Sequence, residues 1–106
     1  MDKIIKDGHV AVLFSPGFGA GWYTWNTQYP QLLFDPVVVA HLLSEDPRSM
    51  DDELEPYLED KYPEIYTGGL YKLRIRWVPE GTQFRVHEYD GSETVILDSE
   101  EKWFMA

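Results

Sequence analysis

The chain has 106 residues, the length of one small domain, which leaves no room for a catalytic domain beside a separate binding domain. Its 19 acidic and 9 basic side chains give a formal charge of −10, which argues against binding to bare nucleic acid or to an anionic membrane. The chain has no cysteine, and this excludes a disulfide scaffold, a thiolate zinc site and a cysteine nucleophile.

A glycine-rich loop follows the first predicted strand. The apolar run at 9–14 lies between glycine-containing turns and predicts a buried strand. The loop at 15–21 has the spacing G-x-G-x-G, which invites comparison with a phosphate-binding loop. However, the dinucleotide fingerprint needs one more residue before its third glycine, and no GK[ST] follows. A turn with glycines at positive φ is therefore the favoured interpretation, and a phosphate loop is the alternative.

Two short helices are expected next. Asp35 can cap a helix and Pro36 suits its first position, which predicts a helix near 36–45. A second helix is predicted near 50–62, beginning at Ser49, with apolar residues every fourth position. Pro56 conflicts with this pattern: it either kinks the helix or marks the start of its regular part.

The C-terminal part alternates between apolar and polar residues, which predicts strands at 70–78, 83–89 and 93–97. A turn at 79–82 would pair the first two of these strands, and Asp90-Gly91 is a strong hairpin signal between the last two. With 43% hydrophobic residues, the chain should fold. We expect one α+β domain over residues 1–106, in which a small antiparallel sheet of about four strands packs with two short helices.

The charges are unevenly distributed along the chain. Residues 45–64 carry nine acids against two bases, a net charge of −7. Four of these acids lie within the predicted second helix and are candidates for binding a basic partner: Asp51, Asp52, Glu55 and Glu59. An acidic helix face is more often simply solvated, so this structural interpretation stands beside the functional one.

Residues 70–89 are basic instead. If the 79–82 turn pairs Trp77 with Phe84, one sheet face carries five cationic or titratable side chains: Lys72, Arg74, Arg76, Arg85 and His87. Like charges opposite each other destabilise a sheet, so this face should have an anionic partner. That partner is either the chain's own acidic helix or an external anion such as a nucleotide or a phosphate.

An aromatic segment at 22–29 lies beside the glycine-rich loop. Trp22, Tyr23 and Trp25 are candidates for stacking on a base or for contacting a protein partner. A domain this small also needs large side chains in its core, so core packing is the competing interpretation.

Catalytic and metal-binding motifs are not found. The three histidines do not form HExxH, no calcium loop occurs, and none of the serines lies in G-x-S-x-G. The sequence predicts no catalytic residue, no metal and no cofactor. A small hydrolase that uses the abundant carboxylates is kept as a third hypothesis.

Five fragments together carry a family resemblance: VAVLFSPGFGAGWYTWN at 10–26, LLFDP at 32–36, YTGG at 66–69, WVPEGTQFR at 77–85 and EYDGSE at 88–93. In this order they resemble a small protein family of tailed bacteriophages and prophages. That family has no assigned activity, so no site residue is carried over from it. The resemblance implies a phage-encoded accessory protein that acts in the bacterial cytoplasm on a host or defence protein.

The leading functional hypothesis is a non-enzymatic acidic binding protein that engages a host or defence protein. In the most specific version of this hypothesis, the carboxylates imitate the phosphates of a nucleic acid. The alternative is capture of a small anionic ligand, with the aromatic segment stacking a base and the basic residues holding phosphates. Direct binding to nucleic acid is not expected. The sequence has no apolar stretch of membrane-span or signal-peptide length, so we expect no membrane partner and a cytoplasmic location.

Overall fold

A computed structural model describes residues 1–44, 50–100 and 105–106. Over these residues the chain forms two α-helices and five β-strands, joined by loops and short 3₁₀ turns, and this confirms the predicted α+β class. In chain order the elements are β1 (Ile5–Lys6), β2 (His9–Phe14), α1 (Pro36–Leu42), α2 (Met50–Lys61), β3 (Arg74–Pro79), β4 (Phe84–Tyr89) and β5 (Ser92–Leu97). Within the described residues, neither helix combines the length and the apolar character that crossing a bilayer requires.

The strands form two antiparallel sheets instead of the single sheet expected. Strand β2 lies at the centre of the first sheet, between β1 and β3, while β4 and β5 form a separate hairpin. The predicted pairing of 70–78 with 83–89 is therefore wrong, since Trp77 lies opposite Ala11 and not opposite Phe84. A turn does form near 80, because the Thr82 N–H donates to the Pro79 carbonyl at 3.0 Å. It sends the chain into the second sheet without closing a hairpin.

Strand β3 begins four residues later than predicted. Leu70 and Leu73 are both buried, and residues Leu70–Lys72 form a 3₁₀ turn. Residues three apart lie on the same side of a 3₁₀ turn, whereas in a strand they would point to opposite faces. Burial of both leucines therefore favours the turn over a longer strand.

The hairpin between β4 and β5 confirms the prediction from Asp90-Gly91. Both residues have positive φ, at 52° and 85°, which is the backbone that a two-residue type I′ turn needs. Tyr89 pairs directly with Ser92 across the turn.

Asp35 caps α1 as predicted: its Oδ1 accepts the N–H groups of Val37 and Val38 at 3.0 and 3.1 Å. The helix ends at Leu42, short of the predicted 45. Helix α2 contains Pro56, so its regular part does not begin at that proline. The predicted start at Ser49 lies outside the described residues.

The core has two parts, one on each face of β2. Ala11 and Leu13 belong to a cluster with Trp22, Leu54 and Leu58, and so face the helices. A second cluster on the other face joins the first sheet to the hairpin, and its buried members are Val10, Val12, Leu33, Phe34, Val78, Val95 and Leu97. The two sheets are also linked by a hydrogen bond of 2.6 Å from Arg76 Nη1 to the Val95 carbonyl.

Candidate functional site

The three aromatic candidates lie in different environments. Trp22 is fully buried, and its indole Nε1 donates to the Leu32 carbonyl at 2.8 Å. Its ring is part of the core and is not accessible to an external base. Tyr23 is half-buried and packs against both core clusters. Trp25, by contrast, remains 41% exposed.

Trp25 forms a pair with an aromatic residue that the sequence analysis did not identify. Tyr66, which is 50% exposed, lies with its ring centroid 5.2 Å from that of Trp25, at an interplanar angle of 45°. The two residues are 41 positions apart in the sequence, and Trp25 lies in a short 3₁₀ turn. The fold therefore brings two partly exposed rings together at one surface position.

The buried side chain of Asn26 connects these two loops. Its Nδ2 donates to the carbonyls of Trp22 and Tyr66 at 2.8 and 3.0 Å, and its Oδ1 accepts the Tyr66 N–H at 2.7 Å. Asn26 is 1% exposed. One buried amide thus fixes the backbone on both sides of the aromatic pair, because each of these bonds would be costly to break in a site without water.

Glycines lie against both rings of the pair. A Cβ atom on Gly21 would lie 2.7 Å from Cδ1 of Trp25, and one on Gly68 would lie 2.5 Å from Cε1 of Tyr66. Both distances are shorter than van der Waals contact, so side chains at these positions would displace the rings. The glycine pattern at 17–21 therefore serves ring packing in part. Gly19, at φ 112°, has the predicted positive φ, but Gly17 and Gly21 do not, so the prediction for these two glycines is wrong.

The basic candidates do not share one face. Arg74 and Arg76 lie on β3 in the first sheet, while Arg85 and His87 lie on β4 in the second. Lys72 contacts the glycine-rich loop: its Nζ donates to the Phe18 carbonyl at 3.0 Å. The common basic face predicted from a 70–78/83–89 pairing is wrong, because alternation along a strand defines its faces but does not identify its partner strand.

The acidic helix does not cover these arginines. Helix α2 packs on the face of the first sheet that contains Ala11 and Leu13. Arg76 alternates with those core residues and bonds to the hairpin on the opposite face. The chain's acidic helix and its β3 arginines therefore lie on opposite sides of the sheet, and the predicted internal neutralisation is wrong.

The acidic candidates lie along α2. Glu59 is exposed, and Glu55 is half-buried, with its Oε1 accepting the Tyr71 hydroxyl at 3.2 Å. Asp51 and Asp52 lie in the first turn of the helix, and their side chains are outside the described part.

A polar cluster around Asp35 joins the two helices. The sequence predicted the helix cap at Asp35 but not the other contacts of this side chain, which is 1% exposed. Its Oδ2 accepts the Tyr62 hydroxyl at 2.6 Å, the Tyr57 hydroxyl at 3.0 Å and Lys61 Nζ at 3.2 Å. Burial by itself would raise the pKa of Asp35, but the hydrogen bonds from Tyr62, the Val38 N–H and Tyr57, with the Lys61 charge, lower it below the usual value. Burial and the neighbouring carboxylate raise the pKa of Tyr62. An anionic Asp35 and a neutral Tyr62 are the states that hold the helices together.

The carboxylate of Glu93 binds backbone N–H groups at the start of the glycine-rich loop and in the aromatic segment that follows it. Its Oε1 accepts the Ser15 N–H at 2.9 Å, and its Oε2 accepts the Trp22 and Thr24 N–H groups at 2.9 Å each and the Thr24 hydroxyl at 2.7 Å. Backbone N–H groups that converge in this way form an anion-binding concavity. Since Glu93 is 2% exposed, these donors of the loop and of the adjoining aromatic segment bind a carboxylate of the same chain. The N–H groups that bind Glu93 are therefore not available to an external phosphate.

A local signal for Glu93 did exist. Glu93, Val95 and Leu97 alternate along β5, so the glutamate shares the buried face of the two apolar residues. No comparable signal identifies Tyr66 or Asn26. Among the described residues, no group of three His, Cys, Asp or Glu side chains could hold a metal ion.

Comparison of the chain with protein-family models, with curated proteins and with solved structures gave no match. The functional argument therefore depends on the chain's own residues.

Proposed function

We propose that this chain is a non-enzymatic acidic binding protein that engages a basic surface of a partner protein through helix α2. The observation that carries the proposal is the direction in which the side chain of Lys61 points. Lys61 is the one basic residue in the sequence of α2. Its ammonium points to Asp35 at 3.2 Å and to the Tyr57 hydroxyl at 2.9 Å, on the side where α2 meets α1. Lys61 therefore compensates a buried carboxylate, while Glu59 and Asp60 are exposed without this cation beside them. Glu53 is exposed as well, and its Oε2 lies 3.7 Å from Nδ1 of His41.

The spacing of the candidate acids supports mimicry of phosphates. Asp51, Asp52, Glu55 and Glu59 extend over nine residues of helix, a rise of about 12 Å at 1.5 Å per residue. Four charges over this rise give roughly one charge every 4 Å of helix axis, close to the ~3.4 Å of DNA axis per phosphate of one strand. A protein surface that binds the phosphates of one strand therefore meets a similar charge density on α2.

The resemblance to phage accessory proteins makes a bacterial host or defence protein the expected partner. A partner that normally contacts nucleic acid carries the required basic surface. Binding of α2 would then compete with nucleic acid for that surface.

The test begins with capture of the partner from infected and uninfected bacteria on immobilised chain, and its identification by mass spectrometry. Binding of the purified partner is then measured by surface plasmon resonance over a series of NaCl concentrations. We expect the association rate to fall steeply with salt, and duplex DNA to compete. The variant Asp51→Asn/Asp52→Asn/Glu55→Gln/Glu59→Gln should associate at least about tenfold more slowly at low salt.

A matched control neutralises exposed acids away from α2, in the variant Glu80→Gln/Asp98→Asn. It should retain most of the wild-type association rate. Binding that does not change with salt, or an equal effect of the two variants, contradicts the proposal.

A further inference from the structure

The Trp25–Tyr66 pair is partly exposed, and neither residue belongs to the two core clusters. The indole that fills the core is Trp22, which is 0% exposed, whereas Trp25 and Tyr66 remain 41% and 50% exposed. Large aromatic side chains that remain accessible at one position are typical of contact sites for partners. The pair is therefore a candidate contact point outside the acidic helix.

The position of the pair is fixed before any partner binds. Asn26 makes three hydrogen bonds that hold the two loops together, and Gly21 and Gly68 leave space for the rings against the backbone. Binding to rings that are already ordered costs little conformational entropy. The glycines lie against the two rings, which remain 41% and 50% exposed at Trp25 and Tyr66.

A cation is the ligand whose chemistry suits these partly exposed rings. Aromatic faces attract cations, and the chain uses this contact internally: Lys3 Nζ lies 4.7 Å from the Phe34 centroid, and Lys61 Nζ lies 5.4 Å from that of Tyr62. Within the described residues, no lysine or arginine lies over Trp25 or Tyr66. A chain with a formal charge of −10 also attracts cationic segments to its surface.

Arginine fits better than lysine. Its guanidinium is planar and weakly hydrated, so it stacks on an aromatic face at a lower desolvation cost than an ammonium. We propose that the Trp25–Tyr66 pair receives an arginine side chain of the basic partner. This inference rests on the proposed function, because it takes the partner to be basic, and it adds a contact that α2 does not provide.

The direct test uses the ¹⁵N-labelled full chain and the probe peptide acetyl-Gly-Arg-Gly-amide. The peptide acetyl-Gly-citrulline-Gly-amide, which has nearly the same shape without the charge, is the matched control. The Trp25 indole N–H signal is assigned by its loss in Trp25→Phe. We expect the arginine peptide to shift this signal saturably, with at least threefold tighter binding than the citrulline peptide. Equal shifts with both peptides, or no shift of Trp25 at millimolar peptide, overturn the inference.

Binding of the captured partner separates this inference from the proposed function. The variant Trp25→Leu/Tyr66→Leu should raise the dissociation rate of the partner at least tenfold and leave the salt dependence of association intact. Tyr89→Leu, which changes an exposed ring on β4, is the control and should have little effect.

If the aromatic variant dissociates like wild type while the neutralised α2 variant fails to bind, the inference is wrong and the proposed function stands. If the α2 variant binds normally and the aromatic variant does not, the proposed function fails and the aromatic contact stands. The peptide titration uses the wild-type chain, so the inference remains testable even where the double variant does not fold.

Discussion

Asp35 and Glu93 are both almost fully buried, yet their charges are compensated in different ways. Glu93 accepts three backbone N–H groups and one hydroxyl, so peptide dipoles surround it. Asp35 accepts two tyrosine hydroxyls, two backbone N–H groups and an ammonium. A carboxylate without such partners would be costly to bury. Glu93 consequently fixes the backbone at 15–24, and Asp35 fixes the helix pair.

Glu93→Gln should destabilise the fold by about 2–4 kcal/mol. The glutamine oxygen can replace only one carboxylate oxygen, and its NH₂ group would then face backbone N–H donors. The free energy of unfolding, measured by urea denaturation, checks this value. Glu80→Gln changes an exposed acid of the same type and serves as the control. A loss below about 1 kcal/mol for Glu93→Gln would show that the donors around it do not depend on the charge.

The lowered pKa of Asp35 predicts a loss of stability in acid. Unfolded aspartate takes up a proton near pH 3.9, whereas folded Asp35 takes it up only at lower pH. As the pH falls below about 4, protonation therefore favours the unfolded state, and the stability present above that pH disappears. The free energy of unfolding between pH 5 and 3 should fall more steeply for wild type than for Asp35→Asn. Asp98→Asn is the control, and equal slopes for wild type and Asp35→Asn would contradict the assignment.

At the scale of elements, the sequence predicted most of the elements but not how all of them pair. The β4–β5 hairpin follows from Asp90-Gly91, because few residue pairs adopt two consecutive positive φ angles. The start of α1 follows from Asp35 and Pro36 for a similar local reason. The partner of β3 could not be predicted, since its alternating pattern fits β2 and β4 equally well. Pairing was decided by β2, an apolar strand that is hydrogen-bonded on both edges.

The candidate site shows the same limit. Trp25 was among the predicted residues because aromatic clusters beside glycines are conspicuous in a sequence. Tyr66 and Asn26 were not, because their importance depends on contacts across 40 positions of the chain. The burial of Trp22 likewise depends on tertiary packing and not on its neighbours in sequence.

Two glycines permit a matched test of how the hairpin meets the glycine-rich loop. Gly81 and Gly91 have nearly the same φ, at 86° and 85°, so alanine is strained at both positions. A Cβ atom on Gly91 would also lie 2.6 Å from the backbone nitrogen of Ala20, whereas one on Gly81 would meet no atom within 4 Å. Gly81→Ala should cost about 1 kcal/mol, and Gly91→Ala at least about 2 kcal/mol more. Thermal and urea unfolding measure the change in the free energy of unfolding for each variant. Equal losses for the two variants would mean that the glycine-rich loop moves away from the new side chain at no cost in stability.

For the whole molecule, the β2–β3 sheet separates the charges. Helix α2, which carries acids, packs on one face. Arg76 reaches the hairpin on the other. The chain as a whole carries a formal net charge of −10.

Added salt, which screens the excess negative charge, should therefore stabilise the fold. Repulsion among the excess acids opposes compaction, and NaCl shortens the range of that repulsion from about 30 Å at 0.01 M to about 4–5 Å at 0.5 M. The free energy of unfolding at pH 7 should rise over this range. Chloride is used because sulfate also strengthens apolar burial. A fall in stability over the same range would show that attractive ion pairs outweigh the repulsion.

The long sequence separation between Glu93 and its donors has a consequence for folding during synthesis. Glu93 follows its backbone donors in the loop by 69 to 78 residues, so a ribosome makes the loop long before it makes the carboxylate. Until β5 is made, the N–H groups that set the backbone beside Trp25 lack their acceptor. A nascent chain that ends before β5 therefore lacks the acceptor for the N–H groups of Ser15, Trp22 and Thr24. The backbone around these donors can reach its final arrangement only after β5 has been made.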